Sequence, residues 1–592
     1  MKKSAAGGNG ASGGRSYGKG FYDDPQNRHR AHQNEDDHIW HNLHPWVRLK
    51  QFLAPESPDI WIVLIYSVAI GLITLVLPVA TQALVNTIAF GTLVQPLVAL
   101  TVLVFIALSF NTVMNAYRLW VVETIQRRIF VRIAGDSTLR LVHVRPEAFD
   151  KYHGPELVNR FLDVVTVQKA AATLLVDGLS VVFQTLVGMT LLGIYHPWLL
   201  VFDVLLLLLL AVVLFPMSAG AIPTSIKESK AKYAVVAWME EIARHQLAFK
   251  TRSGSVLGMQ QTNNLVVNYL TYRAKHFRIL LRQILGMYMI QALAFSVLLG
   301  AGGWLVINRQ LTLGQLVAAE IVVALVLNSF TKLGKHLEVF YDLMAAIDKL
   351  GYLDDLPAER TTGERLPRLG HGASLNIRNV SLGYVENKRL LEGVNWEIPA
   401  GARVGLVGAT GSGKSTLLDL IYSLREPSEG FIEIDGRDYR DVNLGDLRQQ
   451  IAIVRQPEIF EGSLLDNLRL GRAEMDSAEA RAALSQVGLL EDVLAFPEGI
   501  HTQMSTGGQP LSPGQRVQLE IARALARRPR ILILDECLDH LDDLPEREQL
   551  FNRLFDREVP WTLIVTSQNP EILGRCDSVY ELAARRVRPI GA

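Results

Sequence analysis

Six apolar stretches dominate the first half of the chain and leave it few ways to fold. They run over Ile60–Leu84, Pro96–Trp120, Leu174–Ile194, Pro197–Pro216, Ile279–Ile307 and Leu311–Phe330. Each reaches or approaches the ~20 residues that a helix needs to cross the ~30 Å hydrocarbon core of a bilayer. Any one alone would serve as a buried helix of a soluble protein. Six with the same flanking pattern read as membrane spans, because lipid offers backbone N–H and C=O groups no partner outside a helix.

Lys and Arg set the orientation. The link from Val121 to Thr173 carries Arg127, Arg128, Arg132, Arg140, Arg145, Lys151, Arg160 and Lys169. The link from Met217 to Arg278 is basic in the same way, from Lys227 through Arg278. The short links after the first, third and fifth spans hold almost none, with Arg309 the exception, and Tyr195-His196-Pro197 makes a tight turn between the third and fourth. Both long links and both termini are therefore expected on the cytoplasmic side of an inner membrane. The long links also read as helical extensions of the spans. Three acids interrupt apolar runs: Asp177, Asp203 and Glu320. Glu320 lies roughly 12 Å into its helix past Thr312, too deep to snorkel. It reads either as a cavity-facing residue on a transport path or as one end of a helix–helix hydrogen bond.

At 592 residues, several domains are required. The expected division is a polar tail over 1–42, a membrane domain over 43–350, a linker over 351–372 and a second folded domain over 373–592, whose motifs make it a nucleotide-binding domain. Lys+Arg and Asp+Glu both number 59, which argues against a nucleic-acid partner. The tail is Gly-, Ser- and His-rich, with no apolar core after Lys2 and Lys3, so neither a packed fold nor a signal peptide is expected there. Its irregularly spaced histidines read as solvated rather than metal-binding. The WVRLKQF run, Trp46 to Phe52, reads as an amphipathic helix along the membrane surface. Cys537 and Cys576 make no disulfide framework and read as inert thiols.

Chemistry enters after the last span. A strand-like run, ARVGLVG, leads into Gly408-Ala409-Thr410-Gly411-Ser412-Gly413-Lys414-Ser415-Thr416, followed by the apolar helix pattern TLLDLIYSL. This is a phosphate-binding loop in its required setting. The glycines let backbone N–H groups wrap phosphates, Lys414 neutralises their charge, and the Ser415 hydroxyl suits Mg²⁺. An all-apolar run, RILILD, ends in Asp535 and is followed by Glu536. An acid at such a strand end reaches the metal, and the next can polarise the attacking water. ATP and Mg²⁺ are the implied cofactors.

With these motifs in place, the chain resembles ATP-binding cassette (ABC) transporters, specifically exporter half-transporters with six spans fused to one cassette. The resemblance covers roughly residues 43 to 592. It implies that Tyr384 stacks on adenine, that Gln456 senses Mg²⁺, and that Asp542 belongs to a loop crossing to a partner cassette. LSPGQ, Leu511 to Gln515, stands where the family has LSGGQ. There Ser512, Gly514 and Gln515 would close over ATP held by a second subunit.

Three departures stand out. Pro513 replaces a glycine, Thr506 stands where exporters usually have an acid, and Ser567 occupies the place of a histidine that contacts the γ-phosphate. A serine can donate one hydrogen bond but carries no charge. His540, in the interface loop, reads as a solvated side chain. The resemblance thus implies an exporter with slow ATP hydrolysis, homodimeric or paired with a different half-transporter. A nearly non-hydrolysing gating subunit is the third reading. RQLTLGQLVAAEIVV resembles the branch that secretes peptides or proteins with a periplasmic adaptor and an outer-membrane channel; a lipid or drug exporter is the alternative. Tyr152–Arg160 and Glu241–Lys250 are expected to be the elbows that press on the cassette near Gln456.

Overall fold

The computed structural model describes residues 45–90, 94–150, 154–385, 388–472, 474–541 and 547–590. Two compact units emerge, one of Met1–Val142 and Tyr152–Leu356, the other of His143–Lys151 and Pro357–Ala592. The His-rich tail lies outside the described residues.

Among the described residues, the first unit holds six helices long and apolar enough to cross a membrane: Pro45–Thr87, Gln95–Val142, Leu157–Tyr195, Pro197–Ser218, Arg252–Ile307 and Leu313–Asp354. Several far exceed a bilayer. The helix Arg252–Ile307 has 56 residues, or about 84 Å at helical rise. Large apolar side chains such as Leu103, Phe105 and Ile106 point outward, as lipid-facing positions require. Inward, small residues let helices approach closely: a Cβ at Gly188 would stand 3.0 Å from Val322 and 3.1 Å from Val326. At the tight turn His196 is extended and its ring accepts from the Trp198 N–H, capping the next helix.

Arg118 donates to Ser180 Oγ at 2.5 Å and to Asn115 Oδ1 at 2.8 Å. Asp203 is 2% exposed, and neither carboxyl oxygen has a hydrogen-bond partner among the described residues. Glu320 is half-buried. Asp177 falls in a π-helical turn, Leu174–Gly178.

The WVRLKQF run forms a helix, Pro45–Leu53, but does more than lie on a surface. Arg48 is buried and pairs with Asp355, and the Trp46 ring sits 5.3 Å from Phe340. The sixth long helix runs to Asp354, so residues 351–354 are helical rather than linker. Gly351 is tolerated near this helix end because the Arg48 guanidinium fills the space beside it.

The second unit contains β1 (Leu375–Val385), β2 (Lys388–Ile398), β3 (Arg403–Val407), β4 (Glu429–Ile434), β5 (Arg437–Asp438), β6 (Ile451–Val454), β7 (Gly462–Ser463), β8 (Gln503–Met504), β9 (Ile531–Asp535), β10 (Thr562–Thr566), β11 (Ser578–Ala583) and β12 (Arg586–Pro589). The main sheet has the order β12-β11-β3-β10-β9-β6. It is parallel except for the edge strand β12. β9 and β10 are buried at every position, which explains their unbroken apolar runs. β3, in the main sheet, leads directly into the phosphate loop, and a smaller antiparallel sheet, β2-β1-β4-β5, completes the unit.

The segment His143–Lys151 belongs to this second unit, whereas the expected elbow from Tyr152 onward belongs to the first. Its attachment is specific. The Arg145 N–H donates to Pro357 O at 2.9 Å, and Arg425 grips Asp150 with two bonds of 2.8 and 2.9 Å.

Candidate functional site

β3 delivers the chain to Gly408, and the helix Lys414–Ile421 leads away. Between them the backbone takes positive φ at Gly411 (79°) and Gly413 (102°), conformations that side chains disfavour. At Gly408 a Cβ would meet Leu582 O and Ser412 Oγ, each at 2.8 Å. Gly413 is the N-cap and offers no side chain, so the first amides of the helix lack a side-chain cap. Lys414 is buried; its Nζ donates to Gly408 O at 3.0 Å and lies 3.3 Å from Glu536 Oε1. The Ser412 hydroxyl is buried with no partner among the described residues. An orphan hydroxyl, uncapped amides and a buried ammonium fit a chain of phosphates. Ala409 O accepts from the Ser412 N–H at 3.0 Å, tightening the loop around Thr410. Thr416 is buried in the helix behind Ser415.

The sheet order brings the acids to this loop. β10 pairs with both β3 and β9, so the ends of three strands converge. Asp535 is buried and accepts from Thr566 Oγ1 at 2.6 Å. Glu536 has φ 54°, an uncommon conformation for a side-chain-bearing residue. Its N–H donates to Thr566 O at 3.1 Å and to Thr566 Oγ1 at 2.9 Å, which pins the turn. The turn carries the chain out of the sheet, and the Glu536 carboxyl is 54% exposed beside the Lys414 ammonium. A buried acid and an exposed one on adjacent residues can divide metal holding from water activation.

Sequence reasoning missed Thr566 and Arg455. Arg455 Nε lies 2.8 Å from Asp535 Oδ2, and its Nη2 donates to Ser415 O at 2.9 Å. The next residue, Gln456, is exposed. The loop beyond it is clamped to the helix Pro513–Ala526. The Glu458 N–H donates to Glu520 Oε1 at 2.9 Å, and Arg523 donates to Glu458 O at 2.9 Å.

Ser567 follows Thr566 at the end of β10 but turns inward. It is 2% exposed, its Oγ donates to Asp539 Oδ1 at 2.6 Å, and it accepts from the Asn569 N–H at 2.9 Å. The LSPGQ run starts a helix through a capping box. Ser512 Oγ accepts from the Gln515 N–H at 3.3 Å, and Gln515 Oε1 accepts from the Ser512 N–H at 2.9 Å. Pro513 takes the first helical position, where its missing N–H costs nothing. The Gln515 amide also donates to Asp492 at 2.8 Å. Among the described residues, the side-chain hydrogen bonds of Ser512 and Gln515 thus go to each other's backbone and to Asp492 rather than to the phosphate loop, and Gly514 is half-buried beside them. Tyr384 lies in β1, but its side chain and that of His540 lie outside those described, as does Asp542. Both cysteines are free thiols; burial holds Cys537 well above its ordinary range and pushes Cys576 up to about 12.

Comparison with known proteins agrees with this geometry. The family model described as ABC transporter matches residues 391–539. The chain is 34% identical over 272 residues to the ATP-dependent lipid A-core flippase of Neisseria meningitidis, covering 45% of this chain and 44% of that protein. It is 32% identical over 256 residues to the ABC transporter ATP-binding protein YknV of Bacillus subtilis, covering 43% and 42%. With the leukotoxin export ATP-binding protein LtxB of Aggregatibacter actinomycetemcomitans it shares 30% identity over 301 residues, 50% of this chain and 42% of that one. The matches span less than half the length of these curated relatives. A solved bacterial Atm1-family ABC exporter with ATP bound superimposes with a TM-score of 0.78 at 20% identity, covering 90% of this chain and 94% of that one, a likeness of fold.

Proposed function

We propose, on the premise that this chain belongs to the ABC transporters, with its cassette matched at residues 391–539 and the fold of an exporter, that it couples ATP hydrolysis to export across a membrane. The observation that carries this reading is the convergence of Lys414, Asp535, Glu536 and Thr566 at the ends of β3, β9 and β10. Lys414 and the loop amides would hold the phosphates. Glu536, exposed beside Lys414, would take the proton of the attacking water. Ser415, Asp535 and Gln456 would hold Mg²⁺, which when bound neutralises phosphate charge. Ser567 donates to Asp539 and brings no charge to the strand end, which supports slow turnover.

The side chains of Ser512 and Gln515 bond each other's backbone and Asp492, away from the loop of their own chain. That supports a working dimer of two cassettes, and the homodimer is favoured because this chain carries both halves of a site. The basic long links support cytoplasmic cassettes and termini at the inner membrane. For the exported molecule, RQLTLGQLVAAEIVV supports a peptide or protein, with an adaptor and outer-membrane channel as further partners. The flippase among the relatives supports a lipid as the second reading.

The test is ATPase activity of the purified protein in proteoliposomes, with Lys414→Ala and Glu536→Gln beside it. Activity equal to the parent in both variants sinks the assignment. Proteins co-purified from the native membrane then separate homodimer, heterodimer and adaptor-bound complex.

A further inference from the structure

Arg455 stands where the metal subsite is built. It follows Val454, the last residue of β6, whose backbone pairs with Leu534 of β9. That register sets the arginine beside Asp535. Its guanidinium makes one ion pair and two hydrogen bonds: Nε lies 2.8 Å from Asp535 Oδ2 as a charge pair without hydrogen-bond geometry, Nη1 donates to Asp419 Oδ1 at 2.6 Å, and Nη2 donates to Ser415 O at 2.9 Å. The other Asp535 oxygen takes the Thr566 hydroxyl. One carboxylate oxygen is thus held by a hydroxyl and the other by a cation. Arg455 therefore straddles Asp535 and Ser415, two residues that would hold the metal.

We propose that Arg455 is a counter-cation built into this subsite, neutralising Asp535 until a divalent cation arrives with nucleotide and takes its place. The inference rests on the ATPase reading above and deepens it. A carboxylate that is 5% exposed is costly to leave unpaired. A metal held by Asp535 would have to share its carboxylate with the guanidinium, so metal binding would be an exchange rather than an addition. Arg455 is fit for such an exchange because it is 30% exposed and keeps two other anchors when Asp535 lets go. Its planar fork can bond Asp419 and the Ser415 carbonyl at once, which a lysine point charge cannot do. Asp419 pulls in the opposite direction from Asp535. It shares Arg455 with Asp535, and its second oxygen lies 3.5 Å from Arg425.

The test titrates Mn²⁺, read by its paramagnetic resonance, into the full-length purified protein with a non-hydrolysable ATP analogue. Arg455→Gln should tighten the apparent Mn²⁺ affinity by about tenfold, because no guanidinium has to be displaced. Asp419→Asn should weaken it several-fold, because the guanidinium then settles wholly on Asp535. Arg455→Lys should fall between Arg455→Gln and the parent. Opposite shifts in Arg455→Gln and Asp419→Asn establish the exchange. Equal affinities, or shifts of one sign in both, overturn it and leave Arg455 as a staple between β6 and the phosphate-loop helix. Fluorescent-nucleotide binding in EDTA confirms that each variant keeps a folded cassette. Should Arg455→Gln fail there, Arg455→Lys and Asp419→Asn still give opposite signs or overturn the idea. Failure of the ATPase reading itself looks different: the parent would then hydrolyse no ATP in proteoliposomes, whatever signs the two Mn²⁺ shifts take.

Discussion

Glu520 and Arg523 form the joint between the loop after Gln456 and the signature helix, and removing one of them gives a worked prediction. Their side chains are 11% and 10% exposed and 2.7 Å apart. Together they hold both backbone groups of Glu458: Glu520 accepts its N–H and Arg523 donates to its carbonyl. Glu520→Ala strands a buried guanidinium and an amide donor at once. Breaking a buried pair from one side costs about 3–5 kcal/mol, and solvent screening offsets little of it at this depth. In a domain of this size the loss lowers the unfolding temperature by on the order of 10 °C. Glu520→Gln keeps an acceptor for Glu458 and should cost less. Burial pushes the Glu520 carboxyl up, with Arg523 pulling it partway back. A carboxyl raised in the folded state binds its proton before the unfolded chain does. Its charge therefore costs stability above the ordinary glutamate range, and the parent should gain stability, relative to Glu520→Gln, as pH falls toward that range. Two assays on the full-length protein decide the matter: a thermal double-mutant cycle with Arg523→Ala, and hydrogen exchange at the Glu458 amide. The double variant should lose clearly less than the sum of the singles. Strict additivity, together with unchanged exchange at Glu458, would refute the clamp.

Three further outcomes follow from the same coordinates. Glu536→Gln should lower ATPase activity by on the order of 10²-fold or more and leave nucleotide trapped, checked by turnover and retention of labelled ATP; unchanged turnover would reassign the base. Ser567→His should raise turnover, by on the order of 10²-fold if its ring contacts phosphate in the transition state. It should also cost about 1–3 kcal/mol of stability as Asp539 and the Asn569 N–H lose their partner; ATPase and melting measurements read both. Gly351→Ala places a Cβ 2.4 Å from Arg48 Nη1, so the helix Pro45–Leu53 should loosen, seen as faster hydrogen exchange over those residues with little change elsewhere.

What the sequence revealed and what it hid divide along one physical line. The glycine-rich turn between β3 and the helix Lys414–Ile421 was legible because its requirements are local: positive φ at Gly411 and Gly413 and an uncapped helix start are written in adjacent residues. The spans were legible because lipid enforces a near-unbroken apolar composition over some twenty residues at a time. Arg455 was not, because its meaning depends on Asp535, eighty positions away and brought alongside only by the pairing of β6 with β9. Arg48 was misread in part for the same reason: its helix was foreseen, but Asp355 lies 307 residues on.

LSPGQ shows why local legibility alone does not assign a role. Its Ser512 and Gln515 satisfy a capping box fully, so that stretch would hold these residues whether or not it ever faced phosphate. The same holds at Ser567, whose hydroxyl is satisfied by Asp539 and Asn569. Lys414 and Ser412 differ. A buried ammonium aimed at an exposed carboxylate, and a buried hydroxyl with no partner among the described residues, are poor ways to hold a loop together. The buried ammonium set beside an exposed carboxylate and the buried hydroxyl without a partner among the described residues, rather than groups matching a motif, carry the weight of the nucleotide reading.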